Sequence, residues 1–288
     1  MGNLFPKAQS QRWINTADGS MNSPAPSPMT FEFLGLTDTG RTRTNNEDSV
    51  AIDDESSLVV LADGMGGYNA GEVASNMATS FIKTELGRWL REASAGATDT
   101  DVRRAMDICV DNANRAIFDA ASSNPQYAGM GTTLVVAAFR DSRVLIGHVG
   151  DSRGYRMRAG RLTQITRDHS LLQEQIDAGM ITQEQAAFSS NKNLVTRAVG
   201  VEDTVLLELH LHDTVADDIY LLCSDGLSDM LDEQAIAQLI DGHDSLQDIG
   251  DALVDAANEA GGKDNIAVIL VRVRGGGAAS RFWWPFRR

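Results

Sequence analysis

Cysteine is scarce: Cys109 and Cys223 are the only two in 288 residues, and each lies inside an apolar stretch. That excludes a disulfide framework and a cysteine zinc site, and it fits two small buried hydrophobes in a reducing compartment. No apolar run reaches the roughly 18 residues that a membrane-spanning helix needs. The first thirty residues lack a continuous apolar core, so no secretory leader is expected. Basic side chains are outnumbered, 25 against 40 acidic ones, giving a formal charge of −15. A chain this acidic lacks the cationic face that general nucleic-acid binding requires. Aromatic residues make up only 6%, but 42% of the chain is apolar and 23% charged. Those proportions belong to a globular protein and exclude wholesale disorder or a fibrous repeat.

The chain divides into three parts. Residues 1–30 contain Asn22-Ser23-Pro24-Ala25-Pro26-Ser27-Pro28, which shows no periodicity and reads as a flexible N-terminal lead-in. Residues 31–273 contain no linker-like stretch and read as one domain. Residues 274–288 begin with Gly275-Gly276-Gly277, expected to break regular structure, and end in Arg281-Phe282-Trp283-Trp284-Pro285-Phe286-Arg287-Arg288. Residues 272–288 carry five arginines and no acid, so residues 31–271 hold 18 basic and 39 acidic groups. Three readings of the basic aromatic tail stand open: peripheral attachment to a membrane surface, docking onto a partner or the acidic body, and a plain chain end.

Apolar runs at 58–62, 134–139, 144–147, 219–223 and 266–271 predict buried strands. Helical spacing links Val102, Met106, Cys109, Ala113 and Ile117, and again Leu246, Ile249, Leu253 and Ala257. Ser245 is placed to cap the second of these helices and Gly261-Gly262 to stop it. Residues 68–95 are also helix-like. Strands and helices come in neighbouring pairs rather than in strict alternation. The pattern predicts an α+β fold with antiparallel sheets covered by helices, not a doubly wound parallel sheet.

Aspartates gather where apolar runs meet glycines. Asp63-Gly64-Met65-Gly66-Gly67, Gly150-Asp151-Ser152-Arg153 and Ser224-Asp225-Gly226 each follow a predicted strand, and Lys263-Asp264-Asn265 precedes one. A single Asp-Gly is an ordinary turn. Four such aspartates are harder to dismiss, because carboxylates brought together repel unless cations neutralise them. An all-oxygen donor set without clustered His or Cys selects hard ions, Mg²⁺ or Mn²⁺, with Ca²⁺ as competitor. Two such ions activate water and polarise a phosphoryl oxygen, so phosphate-ester hydrolysis is the natural chemistry. The segment Arg41-Thr42-Arg43-Thr44-Asn45-Asn46-Glu47-Asp48 adds arginines able to grip a phosphate and two further carboxylates. By itself it would read as a polar loop.

Six blocks in order carry a family resemblance: Arg43-Thr44-Asn45-Asn46-Glu47-Asp48, Ala62-Asp63-Gly64-Met65-Gly66-Gly67, Gly129-Met130-Gly131-Thr132-Thr133, Gly150-Asp151-Ser152-Arg153, Ser224-Asp225-Gly226-Leu227-Ser228-Asp229 and Asp264-Asn265. The chain resembles the bacterial branch of the metal-dependent protein phosphatases (PPM, type 2C) across residues 31–273. The resemblance implies a central antiparallel β-sandwich flanked by pairs of helices, with two ions in a cleft at one edge. It implies that Asp63 bridges both ions and that Asp225 and Asp264 complete the first ion's ligands. Gly64 through its carbonyl and Glu47 through water would serve the second. Arg43 would bind phosphate, and Asp48 would orient water from behind the ligands. A third, weaker ion would sit on Asp151 with Asp225 shared; the alternative for Asp151 is a structural turn. The implied reaction is direct hydrolysis of phosphoserine or phosphothreonine in proteins, a hydroxide held between the ions attacking phosphorus in line. Cys109 has Arg115 at the Cys-x5-Arg spacing but lies in a predicted helix, and Cys223 has no arginine there, so neither reads as the phosphate loop of a cysteine phosphatase.

One position departs from the family pattern. Many eukaryotic relatives carry a histidine two residues after the bridging aspartate, as a proposed proton donor; here that residue is Met65, which cannot donate. His148 and His169 lie outside any acid motif and are expected to have a structural or surface role. Residues 171–198 would form a flap beside the cleft, governing substrate choice or serving as a plain helical excursion. Two other functions compete with a protein phosphatase: a phosphoprotein-binding module, which would be expected to lose the metal carboxylates, and a phosphatase of small phosphate esters. The sequence reading is therefore a cytoplasmic, monomeric enzyme that acts on phosphorylated proteins, opposes a bacterial Ser/Thr kinase and does not bind nucleic acid.

Overall fold

Alternate residues of one strand face two different cores. In the strand Leu58–Met65, Leu58, Val60 and Ala62 pack with helical residues, while Val59 and Leu61 pack with the strand residues Tyr220, Leu222 and Ile269. Both faces are dry, which is why this strand reads as an unbroken apolar run instead of an alternating one. The same division splits Leu134–Arg140 and Ile266–Gly276.

The computed structural model describes residues 27–67, 70–93, 96–186 and 194–276. Its strands are β1 (Ser27–Asp38), β2 (Asp48–Asp53), β3 (Leu58–Met65), β4 (Gly131–Thr132), β5 (Leu134–Arg140), β6 (Arg143–Val149), β7 (Arg153–Arg158), β8 (Arg161–Gln164), β9 (Glu208–Asp213), β10 (Ile219–Cys223) and β11 (Ile266–Gly276). Its helices are α1 (Ala70–Glu92), α2 (Asp99–Ser123), α3 (Leu171–Asp177), α4 (Gln183–Ala186), α5 (Asp225–Ser228), α6 (Glu233–Asp241) and α7 (Leu246–Glu259). One sheet runs β1-β11-β10-β7-β8 and the other β2-β3-β5-β6-β9, with the short β4 beside β3. Every pairing is antiparallel.

Three apolar layers hold the elements together. The two sheets bury Phe139, Ile146, Tyr220 and Ile269 between them. Helices α1 and α2 cover the outer face of one sheet through Ala74, Ile82, Met106 and Ile117. Helices α6 and α7 cover the other through Ile236, Ile240, Ile249 and Leu253. The result is a four-layer α-β-β-α arrangement, the α+β class expected from the sequence. Cys109 and Cys223 are both unpaired and buried, and burial raises their thiols to about 11 and about 12.

Capping agrees with the sequence. The Ser245 side chain accepts from the Asp248 N–H at the start of α7. Thr98 and Asp101 cap each other's backbone at the start of α2. Two boundaries differ. Strand β1 begins at Ser27, so the last four residues of the 1–30 lead-in belong to a sheet. Strand β11 continues through Gly275 to Gly276, where a break was expected, because β1 supplies a pairing partner as far as Ser27↔Gly276, with a bulge between Ser27 and Thr30. Residues 1–26 and the Arg/Trp-rich segment 277–288 lie outside the described residues.

Candidate metal centre

The ends of strands from both sheets meet at one cleft. Asp63 is near the end of β3, Asp225 follows β10, Asp264 precedes β11, and Asp151 follows β6. These four line a cleft of about 250 Å³ together with Arg43, Glu47, Gly64, Met65, Gly66, Thr133, Val195 and Asn265. Among those residues five carboxylates face one guanidinium. Arg43 Nη2 donates to Asp264 Oδ2 at 2.7 Å.

Backbone packing fixes the carboxylates. Asp63 is clamped by the segment after α2: the Thr133 N–H and the Thr132 hydroxyl both donate to the Asp63 carbonyl at 2.8 Å. The Asp63 N–H in turn donates to Thr133 Oγ1 at 3.1 Å. Asn265 ties down the arginine-bearing loop. Its Oδ1 accepts from the Glu47 N–H at 2.8 Å, and its Nδ2 donates to the carbonyls of Thr39 and Asn45 at 2.9 and 2.8 Å. Two glycines permit these approaches. A Cβ on Gly64 would meet the Gly71 carbonyl oxygen at 2.1 Å, and one on Gly226 would meet the Asn265 carbonyl oxygen at 1.9 Å.

Asp48 lies behind the cleft rather than on its wall. In the β2–β3 ladder it stands directly opposite Asp63, which puts both side chains on one face. Its Oδ2 accepts from Ser224 Oγ at 2.7 Å, while its Oδ1 is buried and has no hydrogen-bond partner among the described residues. Burial pushes the Asp48 carboxyl up to about 7, against the opposing pull of the Ser224 hydrogen bond. Burial and then the charge of Asp151 raise Asp225 to about 8. Burial and then the charge of Asp168 raise Asp151 to about 6. Asp63 is held well above the carboxylate range, by burial first and by the charges of Asp48 and Asp225 next.

Divalent cations fit this donor set. The oxygens are hard donors, the carboxylates raise one another's pKa, and an orphaned Asp48 oxygen sits just behind them. The other residues expected to serve the centre, Glu47, Asp63, Gly64, Asp151, Asp225 and Asp264, all line the cleft, as does Arg43. Ser224, Thr132, Thr133 and Asn265 support it through hydrogen bonds to residues far along the chain. All four were visible within the six blocks, but nothing in their local sequence assigned them these partners. His148 and His169 lie away from the cleft lining; His169 Nδ1 accepts from the Gly150 N–H at 3.1 Å, the residue before Asp151. The excursion over residues 171–198 contains α3 and α4 and returns through the bridges Ser170↔Val195 and Thr132↔Val199, which set Val195 on the cleft wall. Residues 187–193 of it lie outside the described residues.

A two-sheet sandwich with such an acidic cleft at its strand ends defines a metallohydrolase scaffold. Comparison with known proteins gives the family. The model described as "Protein phosphatase 2C" matches residues 39–270. The chain is 38% identical over 238 residues to the serine/threonine phosphatase stp of Listeria innocua, covering 82% of this chain and 93% of that protein. The crystal structure of the Mycobacterium tuberculosis serine/threonine phosphatase PstP/Ppp superimposes with a TM-score of 0.78 at 36% identity, covering 85% of this chain and 99% of the other. The catalytic domain of PstP in complex with two manganese ions superimposes with a TM-score of 0.73 at 35% identity, covering 85% and 99%. The chain belongs to the protein phosphatase 2C family. It is a metal-dependent protein phosphatase of the serine/threonine type.

Proposed function

We propose that the chain hydrolyses phosphoserine and phosphothreonine in proteins at the cleft between Arg43 and Asp225, and that it opposes a bacterial Ser/Thr kinase in the cytoplasm. The observation that carries the site is the convergence of Asp63, Asp225, Asp264, Glu47, Asp151, Gly64 and Arg43 from separate parts of the chain on one wall. Asp63, Asp225 and Asp264 would hold one Mn²⁺ or Mg²⁺ ion. Asp63, the Gly64 carbonyl and, through water, Glu47 would hold a second. Asp151 with Asp225 would hold a third, weaker one. When bound, these ions supply Lewis acidity at the phosphoryl group and make a nucleophile available at neutral pH.

The chain's own residues supply the rest. Arg43 binds the phosphate oxygens, which carry the charge that grows as the bond to the leaving oxygen breaks. Asp48, held by Ser224, orients water from behind the ligands through its unpartnered Oδ1. Met65 lines the cleft but has no proton to give, so the alkoxide leaves with a proton from water. Val195 adds an apolar side chain to the cleft lining.

The test is hydrolysis of phosphoserine and phosphothreonine peptides with Mn²⁺, with Mg²⁺ and with chelator. Turnover with either ion and none with chelator is expected; equal rates on free metabolite phosphates would move the substrate class away from proteins.

A further inference from the structure

The inner face of the sandwich turns polar at one corner, where β6 pairs with β9. The register sets His148 opposite Glu208 and Ile146 opposite His210. The two-residue period of the strands therefore puts His148, Glu208 and His210 on one face. One ligand atom from each lies within 4.8 Å of the other two. Glu208 Oε1 is 2.7 Å from His210 Nε2, and Glu208 Oε2 is 3.2 Å from His169 Nε2. His148 is wholly buried. Its Nε2 lies 2.7 Å from the Arg167 carbonyl oxygen and 3.3 Å from the Arg167 N–H; the shorter contact favours the ring proton on Nε2 and the lone pair on Nδ1. That Nδ1 is buried with no hydrogen-bond partner among the described residues.

We propose that His148, Glu208 and His210 form a separate binding site for a borderline divalent ion of the zinc type. Two imidazole nitrogens and a carboxylate suit Zn²⁺ better than Mg²⁺ or Mn²⁺, unlike the all-oxygen cleft. The side chain of His210 is 42% exposed, so the site opens to solvent and leaves a position for water. Ligand atoms around tetrahedral zinc stand about 3.3 Å apart. Closing the observed spacing takes movements on the order of 1 Å, within reach of side chains on a sheet edge. His169 supports the arrangement from outside. Its Nδ1 accepts from the Gly150 N–H, so its Nε2 carries the proton and donates to Glu208. Through Gly150 the site also abuts the backbone that carries Asp151.

Equilibrium dialysis of the full chain against Zn²⁺, alongside His210→Ala and Glu208→Gln, tests the site. Both variants should bind one zinc fewer than wild type, and their Mn²⁺-dependent phosphopeptide hydrolysis should stay within about twofold, which also reports that they are folded. Asp63→Asn should retain the extra zinc, so the result does not depend on the reading of the catalytic cleft. With Co²⁺, wild type should show the strong visible absorption of a four-coordinate, nitrogen-bound ion, and His210→Ala should lose it. Equal zinc in wild type and both variants, or a cobalt spectrum unchanged by His210→Ala, overturns the proposal and leaves the cluster as hydrogen-bonded ion pairs alone.

Discussion

Arg43 and Asp264, 221 residues apart in sequence, meet through a 2.7 Å contact between guanidinium and carboxylate at the mouth of the acidic cleft. The carboxylate of Asp264, first among the neighbouring groups, holds the arginine above its ordinary pKa. The residue expected to receive phosphate is thus positioned by a residue expected to receive a metal. Arg43→Ala should lower kcat/KM on a phosphopeptide by about 10- to 100-fold, the loss typical of a charge-assisted hydrogen bond. Manganese affinity should hold or rise, because Asp264 loses a competing cation. Steady-state kinetics with a Mn²⁺ titration checks both, and an unchanged kcat/KM would remove Arg43 from the phosphate site.

Asp63→Asn separates chemistry from folding. The side chain keeps its size but can no longer ionise to meet a cation, in a cleft where the charges of Asp48, Asp225, Asp151 and Asp264 all raise its pKa. Hydrolysis should fall to background, and the melting temperature in chelator should equal or exceed that of wild type. Near-normal turnover would defeat the metal assignment.

Ser224→Ala removes the 2.7 Å hydrogen bond that Asp48 Oδ2 accepts from the Ser224 hydroxyl. That bond lowers the Asp48 pKa, so its loss should shift the acid limb of the pH–rate profile upward. The rate at neutral pH should drop by about 10- to 100-fold, the usual cost of removing a group that orients a metal's ligands. A unchanged pH profile would show that Asp48 acts without Ser224.

The metal-free protein should lose stability as pH rises from about 6.5 to 8.5. Asp48 and Asp225 titrate at about 7 and about 8 in the folded chain, against 3.8 ordinarily, and Asp63 is likewise held well above its ordinary value. Their folded-state values are raised, so the folded protein holds more protons than the unfolded chain through this window. Each proton so held tilts stability downward by about 1.4 kcal/mol per pH unit. Burial lowers His148, His169 and His212, and these work in the opposite sense only below about 6.5. Divalent ions displace the same protons, so stabilisation by Mn²⁺ should grow across the window. Thermal melts at both ends, with chelator and with Mn²⁺, test this. A chelated protein that melts higher at 8.5 than at 6.5 contradicts it.

What could be read from the sequence followed physical cost. Asp63, Asp225 and Asp264 stood out because an aspartate bordering a long apolar run is expensive unless something compensates it. Strands β3, β5, β6, β10 and β11 stood out because both of their faces are buried. Strand β7 did not, since Arg153, Arg156 and Arg158 interrupt it; Arg153 and Arg158 are neutralised by Asp168 and Asp218 from elsewhere in the chain. Strand β9 alternates Leu209 and Leu211 with Glu208, His210 and His212, but it is half-buried and has no continuous apolar run, so it did not stand out beside the fully buried strands. Asn265 and Ser224 were visible as letters in a motif, but their work is done across hundreds of residues by hydrogen bonds that only the folded chain creates.

Strand β1 sits at the rim of its sheet and has β11 as its one neighbour there, with Thr30 beside Arg274. During synthesis the earliest strand must wait for the latest one to leave the ribosome, on the order of ten to fifty seconds at ordinary elongation rates. Asp264 emerges just ahead of that same strand. With Asp264 serving the centre as proposed, a nascent chain would stay catalytically silent until its closing segment arrives, and a truncation removing that segment would take the partner of the rim strand and a carboxylate of the cleft in one stroke.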